Sequence, residues 1–141
     1  MAKVGGFSAD SMSLEKILSL KPDLVVSNGK IHKPITDELA RYGITTFVYD
    51  PASFEAIASA IVEMGKLTGR QDAGRIVAKT MLDKIAKVRK TVADIPAAER
   101  LSVFWEVYDE PLMTCGASTF QHAIVEAAGG IDIFADLPGS W

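Results

Sequence analysis

Apolar positions along the first fifty residues follow two different spacings. Leu14, Ile17 and Leu18 recur at helical intervals, predicting a helix over about 14–20. Lys21-Pro22 stops it, because proline lacks an N–H and its ring clashes with the preceding turn. Leu24-Val25-Val26 is too short and too β-branched for a helix, and reads as a strand over about 23–27 buried on both faces. The loop Asn28 to Pro34 leads to a helix over about 35–42, with Ile35 and Leu39 on one face and Gly43 as a left-handed stop. Ile44 to Tyr49 is β-branched and aromatic, which predicts a second strand closed by Asp50-Pro51. Strand, helix, strand in that order implies parallel pairing with a crossover.

The middle of the chain is helical in pattern. Ser53 is a suitable N-cap, and Phe54, Ile57, Ala58, Ile61, Met64 and Gly65 form one apolar stripe. Leu67 to Arg70 interrupts it. A second run over about 72–93 carries Ile76, Val77, Met81, Ile85, Val88 and Val92, with Lys79, Lys84, Lys87, Arg89 and Lys90 on its other, solvated face. After Ile95-Pro96 the pattern returns to β. Leu101 to Tyr108 predicts one strand, Asp109-Glu110-Pro111 a turn, and Leu112 to Cys115 a short return strand. Ser118 or Thr119 caps a helix that runs to about Ala128 and is stopped by Gly129-Gly130. The tail from Ile131 to Trp141 shows no partner of its own.

Composition narrows the function classes. The chain has 141 residues, 48% hydrophobic and 23% charged, the balance of a globular domain with a real core. A net charge of −3 offers no basic surface to neutralise phosphates, which argues against nucleic acid. No apolar run reaches the roughly 20 residues of a membrane span, and Met1 to Gly6 carries no cleavable leader pattern. Cys115 is the one cysteine, so no internal disulfide forms, and with only His32 and His122 beside it a zinc site is poorly supplied. Enzymatic patterns are absent: no Gly-x-Ser-x-Gly elbow, no Gly-x-Gly-x-x-Gly or phosphate loop, and no evident histidine–carboxylate partner for Ser27, Ser118 or Cys115.

The predicted class is α/β, with parallel strands in two Rossmann-like pieces. Residues 1–52 form part of one lobe, 53–97 a helical linker, and 98–141 the start of a second lobe. Neither piece supplies a sheet of the usual roughly four to six strands, so both the start of the first lobe and the second lobe read as incomplete.

Five motifs in order carry a resemblance. They are Val4-Gly-Gly-Phe7, the run from Leu14 through Val26, Gly43 to Pro51, Met64 to Arg70, and Pro111 to Gly116 followed by Ala128 to Asp136. Together they resemble the substrate-binding proteins of ABC importers for iron-siderophores, haem and cobalamin. Asp132 stands where that family commonly has asparagine. The resemblance covers nearly the whole chain, and it implies two α/β lobes joined by a long helix with ligand held in the cleft between them. It implies reversible capture, not catalysis, with no intrinsic cofactor and no protein-bound metal. The ligand would be an iron(III) chelate, a ferric siderophore first and haem or cobalamin next. The implied partner is a membrane permease, and the implied location is periplasmic or extracytoplasmic, with a lipoprotein anchor in a full-length parent. Its docking carboxylate falls on Lys30-Ile31-His32-Lys33, which holds no acid, so that Asp37 or Glu38 is the nearest substitute.

In open α/β sheets ligands bind beyond the carboxyl ends of the strands. That rule selects Ser27, Asn28, Gly29 and His32 after the first strand and Tyr49 and Asp50 after the second. In the second lobe it selects Glu106 to Asp109, Tyr108 among them, with Gly116 and Ser118 at a helix start where N–H groups can meet an anion. Tyr108 and Trp141 could flank a planar ligand. Unpaired sheet edges invite a second copy of the chain, a homo-oligomer. The alternative reading is an enzyme or cofactor-binding α/β domain with no transport role.

Overall fold

A computed structural model describes residues 3–6 and 9–137. The chain divides into two compact units, one ending at Asp50 and one beginning at Pro51.

The first unit is built as its apolar spacing requires. Helix α1 spans Leu14–Ser19 and is capped by the Ser13 hydroxyl, which accepts the Lys16 N–H at 3.3 Å. Strand β1 is Leu24–Asn28, helix α2 is Lys33–Arg41, and strand β2 is Thr45–Tyr49. Pro34 sits in the first turn of α2, where its missing N–H costs nothing. The two strands pair in parallel, with Leu24 opposite Thr45 and Asn28 opposite Tyr49. Leu39 is fully buried and Ile17 nearly so, and Thr36 is buried with its hydroxyl donating to the carbonyls of His32 and Lys33. One expectation fails: Val26 is 45% exposed, so β1 is covered on one face only within this unit.

In the second unit, helices α3 (Phe54–Leu67) and α4 (Gln71–Val92) fold into a hairpin. Ser53 caps α3 by accepting the Ala56 N–H at 3.1 Å. The hairpin is closed backbone to backbone. A Cβ at Gly74 would lie 3.0 Å from the Ile61 carbonyl oxygen and 3.2 Å from the Gly65 Cα. Phe54 packs edge-on against Phe120 at 5.2 Å, and the Arg89 guanidinium lies over the Phe54 ring, 5.5 Å from its centroid.

The expected single strand over 101–108 is two strands in two different sheets. Strand β3 (Ser102–Val103) pairs in parallel with β6 (Ile131–Asp132), whereas β4 (Glu106–Tyr108) pairs antiparallel with β5 (Met113–Thr114). The break falls at Phe104-Trp105. There Phe104 meets Phe134 edge-on at 5.9 Å, and the Trp105 carbonyl accepts the Thr114 hydroxyl at 3.0 Å. The tail therefore does find a partner: the Ile131 N–H donates to Leu101 O at 2.9 Å and the Ile133 N–H to Val103 O at 3.2 Å. Helix α5 (Phe120–Ala127) lies between β5 and β6 in sequence and is capped by Thr119.

Candidate functional site

The carboxyl ends of β1 and β2 gather one set of candidates in the first unit. Asn28 and Tyr49 are paired in register, and the Gly29 N–H continues the ladder by donating to Tyr49 O at 2.8 Å. Gly29 has φ +68, a conformation an L side chain adopts only under strain, and a Cβ there would stand 3.8 Å from the Asp50 carboxylate. The chain thus turns away from the strand with a carboxylate beside its backbone. His32 follows one short turn later, its Nδ1 3.0 Å from the Ser27 hydroxyl, which ties the loop back to the buried end of β1. The Tyr49 ring stacks on Phe47 at 6.0 Å with only 11° between the planes. Asn28, Gly29, His32 and Tyr49 are therefore brought together. A recess of about 370 Å³ in the same unit is walled by Leu24, Val26 and Ile35, with Ser27, Asn28 and His32 among its polar lining.

In the second unit the candidates lie on a strand pair and the turn that follows it. Glu106 is opposite Thr114 and Tyr108 opposite Met113, with an irregularity between the two pairs, and both Glu106 and Tyr108 are exposed. Gly116 and Ser118 occupy the turn from β5 into α5, Gly116 buried and Ser118 exposed. That turn is closed by Thr119, whose N–H and hydroxyl both donate to Gly116 O, at 3.0 and 2.8 Å. The same hydroxyl accepts the His122 N–H at 3.2 Å, so the cap of α5 and the closure of the turn are one group. Trp141 lies outside the described residues. A larger recess of about 660 Å³ runs along α3 and α4 and holds none of the candidate residues.

A cluster beneath the turn was not read from the sequence. Asp132 has 1% of its side chain exposed, and its Oδ2 lies 2.9 Å from His122 Nδ1 and 3.8 Å from the Cys115 thiol, while Oδ1 accepts the Phe134 N–H at 3.0 Å. Cys115 thus does have a carboxylate partner, contrary to expectation, and His122 shares it. The residues are 10 and 17 positions from Asp132 and meet only because β6 pairs with β3. Burial pushes the Asp132 carboxyl upward, but the Phe134 N–H, then the His122 ring and the thiol outweigh it and hold the group below its ordinary value. Burial, and then the Asp132 charge, push the Cys115 thiol up. Asp132 is thereby an anion and Cys115 a neutral thiol. Among the described residues no group of three or more His, Cys, Asp or Glu side chains is arranged to hold a metal ion.

Comparison with known proteins adds three findings. The sequence profile of the periplasmic binding protein family matches residues 2–141. The vitamin B12-binding protein of Salmonella paratyphi A is 31% identical over 132 residues, which is 92% of this chain and 48% of that protein. Among solved structures, the periplasmic vitamin B12 binding protein BtuF of Vibrio cholerae superposes with a TM-score of 0.81 at 20% identity, over 99% of this chain and 53% of that one. The periplasmic haem-binding protein BhuT, solved with two haems, gives 0.77 at 22% identity, over 94% and 51%. The chain spans about half the length of the relatives it matches.

Proposed function

The chain belongs to the periplasmic binding protein family, and from that premise we propose that it serves as the solute-capturing component of an ABC importer, taking a chelated metal with cobalamin as the first candidate. The observation that carries this reading is the family match along 2–141, together with a 31% identical relative named for vitamin B12. Each unit by itself brings groups that suit a large ligand carrying amides and a flat ring system. Asn28 offers an amide to the carboxamides of a corrin, Tyr49 and Tyr108 offer aromatic faces, and the turn at Gly116 and Ser118 offers backbone N–H groups. Asp50 lies near Gly29 in the first unit and Glu106 is exposed in the second, and neither carboxylate favours a highly anionic ferric catecholate. Cobalamin accordingly moves ahead of the ferric siderophore that the sequence alone ranked first, with haem as the second reading because a haem-bound protein shares this fold.

The mechanism is reversible capture, followed by delivery to a membrane permease outside the cytoplasm. Calorimetric titration with cyanocobalamin, haemin and a ferric hydroxamate tests it, using this chain and a version extended to the length of its relatives. Saturable binding of cyanocobalamin, with weaker or absent response to the others, is the expected result. A protein that binds only the siderophore, or none of the three at either length, refutes the ordering and the reading respectively.

A further inference from the structure

We propose that Asp132 is the positioning residue of the Gly116–Thr119 turn, one buried carboxylate holding both shoulders of that turn in the shape that meets ligand. The proposal rests on reading that turn as a ligand contact, and it deepens that reading. Cys115 immediately precedes the turn and His122 lies in the first turn of the helix that follows it. Both reach the same oxygen, Oδ2 of Asp132, while Oδ1 is anchored by the Phe134 backbone. Thr119 closes the turn from within, through Gly116 O and the His122 N–H. The loop is therefore tied once inside and once outside, and the outer tie passes entirely through Asp132.

The chemistry of that tie is specific. A carboxylate only accepts, so His122 carries its proton on Nδ1 and donates it to Asp132. The groups facing His122 are Asp132 from β6 and Glu126 from its own helix, the latter's carboxylate 3.6 Å from Nε2. Asparagine at 132 could keep the Phe134 contact with its carbonyl oxygen and turn its NH2 group toward His122. The imidazole would then accept at Nδ1 and move its proton to Nε2, toward Glu126. Alanine can do neither. Asp132→Asn should preserve the turn by exchanging the tautomer, whereas Asp132→Ala should release it.

The test compares the two variants by NMR and by cyanocobalamin titration. Asp132→Ala should shift the amides of Gly116 to Thr119 and weaken cyanocobalamin by about tenfold, the scale of one lost hydrogen bond to a charged group. Asp132→Asn should stay within about threefold of the parent, with the His122 imidazole nitrogens reporting the proton on Nε2 instead of Nδ1. His122→Phe removes the donor while keeping a ring, and should itself shift the Gly116 to Thr119 amides, which keeps the test open if the alanine variant does not fold. Unmoved Gly116–Thr119 amides in whichever of Asp132→Ala and His122→Phe folds, or equal loss of affinity in the alanine and asparagine variants, overturns the proposal. If the parent itself takes no cyanocobalamin, the cobalamin reading fails, and the amide shifts alone decide the positioning role.

Discussion

Replacing Thr119 with valine removes one hydroxyl and keeps the shape of the side chain. That hydroxyl accepts the His122 N–H at 3.2 Å and donates to Gly116 O at 2.8 Å from a buried position. Loss of a threonine N-cap costs about 1 kcal/mol, up to ~2 in protein hosts. The Gly116 carbonyl keeps the Thr119 N–H at 3.0 Å, so it is not orphaned and adds little. The expected loss is therefore about 1–2 kcal/mol, measured by urea denaturation followed by circular dichroism. Thr119→Ser keeps the hydroxyl and gives up one methyl, about 0.8 kcal/mol. Because those two totals are close, amide hydrogen exchange separates them: valine should speed exchange at His122 specifically, and serine should not. A valine variant with parental stability and unchanged exchange at His122 would refute the assignment of Thr119 as both cap and turn closure.

Gly29→Ala forces an L side chain to φ +68 and should destabilise by about 1–2 kcal/mol. It should also weaken ligand binding in the same titration that tests cobalamin, and a neutral result on both counts would remove Gly29 from the site. Gly74→Ala gains roughly 1 kcal/mol of helix propensity but sets a Cβ 3.0 Å from a carbonyl and 3.2 Å from a Cα, neither of which can swing aside. Overpacking of about 1–3 kcal/mol should win, and a stabilised variant in thermal melts would show that the two helices do not touch backbone to backbone. The pH dependence has two limbs. The Asp132 carboxyl is lower folded than its ordinary 3.8, so its contribution is present above that value and lost as pH falls through the folded value; Asp132→Asn should flatten the acid limb of stability. The Cys115 thiol is higher folded than its ordinary 9.0, so its contribution is full below pH 9 and is lost as pH rises toward the folded value; Cys115→Ala should flatten the alkaline limb.

What the sequence made legible follows the range of the interactions involved. Helices α1 to α4 and strands β1 and β2 could be read because local spacing, caps and stops determine them. Ser13 and Ser53 sit at caps, Pro34 in a first turn and Gly43 at a stop. The region after Ile95 was harder, because its strands are two or three residues long and defined by their partners. No periodicity distinguishes one eight-residue strand from two short ones, and only the Phe104–Phe134 contact and the Leu101 and Val103 carbonyls show where the chain changes sheets. Likewise the strand-end rule brought Asn28, Gly29, His32 and Tyr49 to one place because the rule depends on topology alone. It could not find Asp132, whose partners are separated in sequence and joined by the β3–β6 register.

A buried cysteine and aspartate meet a half-buried histidine in one cluster, and the order of their contacts is not that of a nucleophilic triad. Nucleophilic catalysis needs the imidazole between the nucleophile and the acid, so that it can take the proton while the acid orients it. Here the aspartate stands between the other two: Cys115 Sγ and His122 Nδ1 both reach Asp132 Oδ2. The proton His122 would have to accept is aimed at a carboxylate, not at the ring. The thiol is also fully buried and its ionisation is driven upward by burial and by the same carboxylate, whereas a reactive cysteine needs a lowered value and access to substrate. The second oxygen of Asp132 is committed to the Phe134 backbone, which gives the carboxylate a structural anchor that a mobile proton relay would not require. A cluster wired in this order ties the loop between β5 and the cap of α5.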